Sequence, residues 1–227
     1  DGGFPTAEKD PIILVSLAFS HLYRNVKDMV IIAKGIECVR PDTYAVSSEA
    51  ALLKMLRNII HEYNPDVLTG YNIVEFDFPY IERRMQLNNM TCNFGRNGSN
   101  WFIRRVAGKV EVSVVGRVVI DTLPMIRKNF SLKEYKLKTV ARELLHFEKL
   151  DVPAKVMREY WFDEGSKFIE FVKYSRRDAV LGMMLLTDLG MLQKYIALSR
   201  VSGILLQTVI SGGQSVMLEF MLLQRFN

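Results

Sequence analysis

Apolar residues occur along this chain in short β-branched runs that alternate with longer amphipathic stretches. The short runs predict buried strands at 12–19, 29–33, 67–71 and 117–121, and two more runs, 101–106 and 110–115, predict a β-hairpin. Apolar residues at helical spacing predict helices, in chain order, from Ser47 or Ser48 to Asn64 and over 78–87, 123–130, 137–147, 154–162 and 166–189. Strands mixed with helices predict an α/β fold with a mixed sheet flanked by helices.

Residues with special backbone preferences predict where several helices begin and end. Ser47 or Ser48 is a good N-cap, and Pro65 ends the first helix at Asn64. Gly190 is predicted to end the long helix. The stretch 201–226 is predicted to break at 211–213, Ser-Gly-Gly, before a final helix begins.

Composition excludes a few classes of protein. A chain of 227 residues can bury one sizeable core, and its formal charge of +5 gives modest support to a phosphate-rich partner. Cys38 and Cys92 lack metal-ligand spacing and are expected to be two reduced thiols. Because no signal peptide and no apolar run of bilayer length is present, we expect an intracellular protein with no membrane partner.

Two carboxylates and a tyrosine are the candidate catalytic residues. Asp77 lies where the strand 67–71 turns into a helix, and Tyr174 and Asp178 are four residues apart on one helical face. Carboxylates from separate elements suit a hydrolase that holds two divalent cations against a phosphodiester. The alternatives are an N-cap role for Asp77, a solvated position for Asp178 and core packing for Tyr174.

These residues occur in motifs that resemble a known family. The segments Thr69-Gly70-Tyr71-Asn72 and Phe76-Asp77-Phe78-Pro79-Tyr80 resemble the second exonuclease motif of family B DNA polymerases, and Tyr174-x-x-x-Asp178 resembles the third. Further similar segments, in the same order, are Gly3-Phe4-Pro5, Val115-Gly116-Arg117-Val118, Tyr135-Lys136-Leu137 and Ser199-Arg200-Val201-Ser202-Gly203. The resemblance therefore covers nearly the whole chain.

The resemblance implies a ribonuclease H-like fold and 3′→5′ proofreading. It implies that Asp77 and Asp178 bind two Mg²⁺ or Mn²⁺ ions and that Tyr174 positions the attacking water. It also implies that Asn72 lies near the bound 3′ end of the primer.

The chain departs from the family pattern at its beginning. The family's first motif, an Asp-x-Glu on the first strand, does not occur before Asp77. We therefore expect that the first strand is missing, that the chain is cut from a longer polypeptide, and that the fragment alone is inactive. Residues 1–200 are expected to form the exonuclease domain, and 201–227 a helical connection towards the polymerase palm. The alternative function is a catalytically silent exonuclease-like scaffold that binds DNA and packs on the polymerase core.

Basic and aromatic residues indicate where DNA binds. Residues predicted to contact DNA are Tyr71, Asn72, Phe76, Arg104, Arg105 and Lys109. Arg96 and Arg117 belong to the same basic cluster around the hairpin, and a solvated basic face is the alternative for the cluster. The expected partners are single-stranded DNA or a primer 3′ end, the rest of the polymerase chain and a sliding clamp. The expected compartment is the cytoplasm of an archaeon or the nucleus of a eukaryote.

Overall fold

A computed structural model gives the fold of the chain. It describes residues 5–35, 42–106, 108–147, 154–163 and 165–226. Cys38 lies outside the described residues, whereas Cys92 is a buried free cysteine.

Strands and helices alternate in the first half of the chain, and helices dominate the second. The strands are β1 (Leu14–Tyr23), β2 (Val26–Ile32), β3 (Thr43–Ala45), β4 (Val67–Gly70), β5 (Phe102–Val106), β6 (Lys109–Ser113) and β7 (Val118–Asp121). The helices are α1 (Glu49–Tyr63), α2 (Phe78–Leu87), α3 (Thr122–Asn129), α4 (Leu137–Leu145), α5 (Ala154–Phe162), α6 (Ser166–Thr187), α7 (Met191–Ser202) and α8 (Leu206–Phe226). A π-helical turn, Ile73–Asp77, precedes α2.

Within the described ranges, the strands form three hydrogen-bonded groups. β1 pairs antiparallel with β2, and β2 pairs parallel with β3. β4 pairs parallel with β7, and β5 pairs antiparallel with β6 as the expected hairpin. The long helix α6 packs against β1, β2 and β4, so it connects the first group to the second.

Strand β2 lies at the centre of the protein core. Its residues Met29 to Ile32 are fully buried, as expected for a strand covered on both faces. Because side chains alternate along a strand, Met29 and Ile31 join the cluster around α1 and α2, whereas Val30 and Ile32 pack with aromatic residues of α5 and α6. A further cluster gathers β7, α3, α4, α6, α7 and the start of α8.

The elements confirm the α/β prediction, with a few corrections. Ser48 caps α1 by accepting a hydrogen bond from the Ala51 amide, and Asn64 ends that helix in a left-handed conformation. The predicted break at 211–213 is wrong, because α8 runs through it and the chain bends instead at Gly203, whose φ is 67°. The short strand β3 and the helix α7 were not predicted.

Candidate active site

The candidate site begins where two parallel strands end side by side. Gly70, the last residue of β4, lies in register with Asp121, the last residue of β7. After Gly70 the chain turns sharply: Asn72 has a φ of 66°, and the π-helical turn that ends at Asp77 follows. A Cβ atom on Gly70 would lie 2.4 Å from the Ile73 side chain, so this close turn requires glycine. The carboxyl ends of parallel strands are where α/β proteins commonly bind ligands.

Asp77 is a helical residue within this turn and does not cap α2. Its φ of −65° and ψ of −46° are helical, and its side chain makes no capping hydrogen bond. The interpretation of Asp77 as an N-cap is therefore wrong. Its neighbour Phe78 is buried against Trp101, with ring centroids 4.9 Å apart, as expected for a core aromatic.

The Asp77 carboxyl carries an unusually high proton affinity. Desolvation by the surrounding protein, with a further contribution from the negative charge of Asp121, raises the pKa of Asp77 to about 6. Yet Asp77 as a residue is exposed, so water and ions can reach it. Among the described residues, no lysine or arginine forms a salt bridge with Asp77. A divalent cation would supply the missing positive charge, so this carboxylate fits a metal ligand.

Helix α6 carries Tyr174 and Asp178, both half-buried, on one face. One turn further, a Cβ atom on Gly182 would lie 3.5 Å from the Gly70 Cα atom, so α6 approaches the end of β4 closely there. Asp178 is therefore on the face of α6 that meets the strand end from which the turn to Asp77 starts.

Contacts from the neighbouring positions hold α6 against the first group of strands. The Ser175 hydroxyl is 2.8 Å from that of Ser16 on β1. The Arg176 guanidinium pairs with Asp42 and, at 3.1 Å, with Asp28 on β2. These contacts fix the rotation of α6 about its axis and so the direction in which Tyr174 and Asp178 face.

Asp121 is a site residue that the sequence interpretation missed. Its carboxylate accepts hydrogen bonds from the amides of Asn72 (2.9 Å), Val74 (3.1 Å) and Leu123 (3.0 Å). Burial raises the pKa of Asp121 above its ordinary value, although the three amide hydrogen bonds act in the opposite direction. The available signal was an acidic residue at the end of a buried strand, the same signal that marks strand-end sites in general.

The residues predicted to contact DNA near Asp77 differ in their surroundings. Phe76 is 36% exposed, and its ring centroid lies 5.5 Å from that of Tyr80. The Tyr71 hydroxyl donates a hydrogen bond to the Tyr135 carbonyl at 2.5 Å, and burial raises its pKa to about 12. Asn72 is half-buried, and its backbone N–H donates a hydrogen bond to the Asp121 carboxylate. For these three residues, contact with DNA stays a prediction.

The hairpin presents basic residues to solvent and contacts the Asp77 turn. Arg104, Arg105 and Lys109 are exposed, and Arg104 pairs with Glu111 across the strands. The Val110 amide donates to the Glu75 carboxylate at 3.3 Å, which connects β6 to the π-helical turn.

Arg117 does not belong to this exposed cluster. It is 7% exposed, and its guanidinium donates to the carbonyls of Phe94 and Pro65. Its predicted place in a phosphate-contacting surface is therefore wrong, because its charge is used to bind backbone oxygens in the interior.

The described residues contain no group of three or more acidic, histidine or cysteine side chains placed to hold a metal ion. Within the same ranges, no single helix has the length and hydropathy of a membrane span. One pair of described helices, Met191–Ser202 and Leu206–Gly212, meets the length and hydropathy criteria when the two are taken together, and the pair is bent by 104°.

Comparison with known proteins identifies the family. The model of "DNA polymerase family B, exonuclease domain" matches residues 1–140. The chain belongs to this family. The family B exonuclease domain is a metal-dependent nuclease domain. Similarity to a solved family B polymerase confirms the ribonuclease H-like fold that the motifs imply.

Relatives of this exonuclease domain are polymerases of eukaryotes and archaea. The chain is 26% identical over 239 residues to the DNA polymerase delta catalytic subunit of Caenorhabditis elegans, covering 99% of this chain and 22% of the relative. It is 33% identical over 171 residues to DNA polymerase 1 of Pyrococcus abyssi, covering 75% of this chain and 21% of the relative. The solved family B polymerase of Pyrobaculum calidifontis matches with a TM-score of 0.76 and 25% identity over 98% of this chain and 27% of that one. The chain thus spans about a fifth of the length of these curated relatives.

Proposed function

We propose that this exonuclease domain removes 3′-terminal nucleotides from single-stranded DNA, as the proofreading part of a DNA-directed DNA polymerase. The observation that supports it most directly is the approach of α6 at Gly182 to the end of β4 at Gly70. That contact brings the helix bearing Asp178 to the turn bearing Asp77, as two-metal hydrolysis requires of carboxylates from distant parts of a chain.

The described residues can provide part of a binding site for two Mg²⁺ or Mn²⁺ ions. Asp77 and Asp178 offer carboxylate oxygens, the ligands these hard cations prefer, and DNA phosphate oxygens and the rest of the polymerase chain would add others. When bound, such ions lower the pKa of a coordinated water and neutralise charge at phosphorus.

The protein residues have separate roles in this proposal. Asp77 and Asp178 hold the cations, and the Tyr174 hydroxyl orients the attacking water by a hydrogen bond. Asn72 and Phe76 belong to the turn that ends at Asp77 and would contact the terminal nucleotides, together with Tyr71 just before the turn. Arg104, Arg105 and Lys109 would guide the strand through its phosphates.

The domain is proposed to extend to about residue 200, followed by the connection to the palm. Leu218, Leu222 and Leu223 on α8 are each more than half exposed, which suits a helix covered by another part of a polymerase. The rest of the polymerase chain is therefore the proposed protein partner, and a sliding clamp a further one. The proposed compartment is intracellular, the cytoplasm in an archaeon or the nucleus in a eukaryote.

The test uses the intact polymerase that contains this domain. We expect Asp178→Ala to abolish Mn²⁺-dependent removal of nucleotides from a 5′-labelled single strand, while primer extension continues at the wild-type rate. Asp188→Ala, an exposed position ten residues along from Asp178, is the matched control and should leave both activities unchanged. Full nucleotide removal by Asp178→Ala would refute the assignment, and a wild-type polymerase that removes none would favour the silent scaffold.

A further inference from the structure

The end of β7 holds the turn that leads to Asp77 through a single buried carboxylate. Asp121 is 8% exposed, and its two oxygens accept three backbone amide hydrogen bonds. Two of these amides, from Asn72 and Val74, belong to the start of the π-helical turn. The third, from Leu123, belongs to the first turn of α3. One side chain therefore satisfies amide groups at the beginnings of two helical segments.

The π-helical turn depends on this carboxylate because its own cap residue does not serve it. Asn72 occupies the N-cap position in a left-handed conformation, and its side chain makes no capping hydrogen bond. The first amides of a helical segment have no partner within it and need an acceptor from elsewhere. Asp121 supplies that acceptor from a different strand.

Thr122 strengthens the same connection. Its hydroxyl donates to the Gly70 carbonyl at 2.9 Å, and the residue is fully buried. Asp121 and Thr122 together bind both the last carbonyl of β4 and the amides that follow it. The chain is thus held at the Gly70 carbonyl and at two of the amides that follow it, and Gly70 is also the residue that α6 approaches at Gly182.

From these contacts we infer that Asp121 is a positioning residue for nucleotide removal: its carboxylate holds the Asn72–Asp77 turn, so that Asp77 keeps a fixed position relative to Asp178. It acts through the backbone and does not touch DNA. This inference rests on the proposed function, because the reaction it serves is the one proposed above.

The inference predicts a graded response to substitution. In Asp121→Asn, the amide oxygen can still accept from Asn72 and Leu123, but the amide NH₂ then faces the Val74 N–H, so one hydrogen bond is replaced by an unfavourable contact. Asp121→Ala removes all three acceptor contacts. We therefore expect Ala to loosen the turn more than Asn does.

The experiment measures nucleotide removal, deuterium uptake and primer extension in the intact polymerase. For Asp121→Ala, we expect kcat for nucleotide removal from single-stranded DNA to fall about 10- to 100-fold, as a misplaced reacting group requires. KM for that DNA should change less than kcat, because the phosphate contacts proposed for Arg104, Arg105 and Lys109 lie on the hairpin, outside the loosened turn. Deuterium uptake of the peptide 70–78 should become faster, and primer extension should stay at the wild-type rate. Asp66→Ala is the matched control, since Asp66 is an exposed aspartate just before the opposite end of β4.

The outcomes separate this inference from the proposed function. Unchanged nucleotide removal or unchanged deuterium uptake in Asp121→Ala would overturn the inference. A parallel loss of nucleotide removal and primer extension in Asp121→Ala would show general unfolding, and the test would then pass to Asp121→Asn, which keeps two acceptor contacts. Wild-type nucleotide removal in that variant would overturn the inference. A wild-type polymerase without nucleotide removal would instead reject the proposed function, while the deuterium uptake of 70–78 still tests whether Asp121 holds the turn.

Discussion

Replacing Asp77 with asparagine should stabilise the domain at neutral pH while abolishing nucleotide removal. The pKa of Asp77 in the folded protein is about 6, above its ordinary value of 3.8. The unfolded chain therefore ionises more readily than the folded one, and ionisation of Asp77 opposes folding. The neutral asparagine side chain of the variant has no charge to desolvate.

The magnitude follows from the shift and from the exposure of the residue. A rise from 3.8 to about 6 sets a ceiling of about 3 kcal/mol, at about 1.4 kcal/mol for each pKa unit. Because Asp77 is exposed, solvent screening reduces the expected gain to about 1 kcal/mol. Ionised Asp77 destabilises the folded wild type, and this effect depends on pH. It is absent below about pH 4, develops as the pH rises from about 4 to about 6, and is complete above about 6.

The assay is native-state hydrogen exchange of α2 in the intact polymerase, with a chelator present. We expect Asp77→Asn to raise the free energy of opening at about pH 7.5, with the gain shrinking as the pH is lowered towards about 4. Mn²⁺ in place of the chelator should stabilise the wild type and leave the variant unchanged. Asp66→Asn is the control, and it should lower the free energy of opening at neutral pH. The Arg96 guanidinium lowers the pKa of Asp66, so ionisation of Asp66 favours folding. A variant less stable than the wild type at neutral pH, or a difference independent of pH, would refute the reasoning.

Two further predictions concern packing around the site. Glu49→Ala should cost about 2–4 kcal/mol in the free energy of unfolding, because it leaves the largely shielded Arg84 charge, 12% exposed, without its carboxylate partner. Glu62→Ala at an exposed ion pair should cost at most about 1 kcal/mol. Equal costs in urea denaturation would contradict this. Gly182→Ala should be tolerated, since its Cβ atom would meet the Gly70 Cα atom at 3.5 Å, but Gly182→Leu should displace α6 and reduce nucleotide removal about 10-fold or more. Wild-type activity in Gly182→Leu would show that this close contact is not required.

Local signals in the sequence were sufficient for most element boundaries. α2 and α5 have their predicted bounds, and the hairpin lies where its two apolar runs placed it. Such elements are determined by hydrophobic periodicity and by residues near their ends. The failures occurred where distant contacts decide. β3 has three residues, too few for a pattern, and exists because Thr43 to Ala45 pair with β2.

The course of α8 shows the same limit. Ser211, Gly212 and Gly213 predicted a break, because glycine is unfavourable inside a helix. The helix continues because its first turns are anchored, with Val209 buried in the core and Gln207 hydrogen-bonded to both backbone groups of Val119. Tertiary packing overcame a local preference of about 1 kcal/mol for each glycine.

The sequence by itself determined the family, the α/β class and the candidates Asp77, Tyr174 and Asp178, because these depend on residue types, their order and short spacings. Only the tertiary structure showed that Asp77 does not cap α2 and that Arg117 lies in the interior. It also showed that the Asp121 carboxylate binds the amides at the start of the turn. The reason is physical: hydrogen-bond partners and desolvation depend on which distant segments surround a side chain. Asp121 is 49 residues from the Asn72 amide that it binds, and no local pattern encodes that distance.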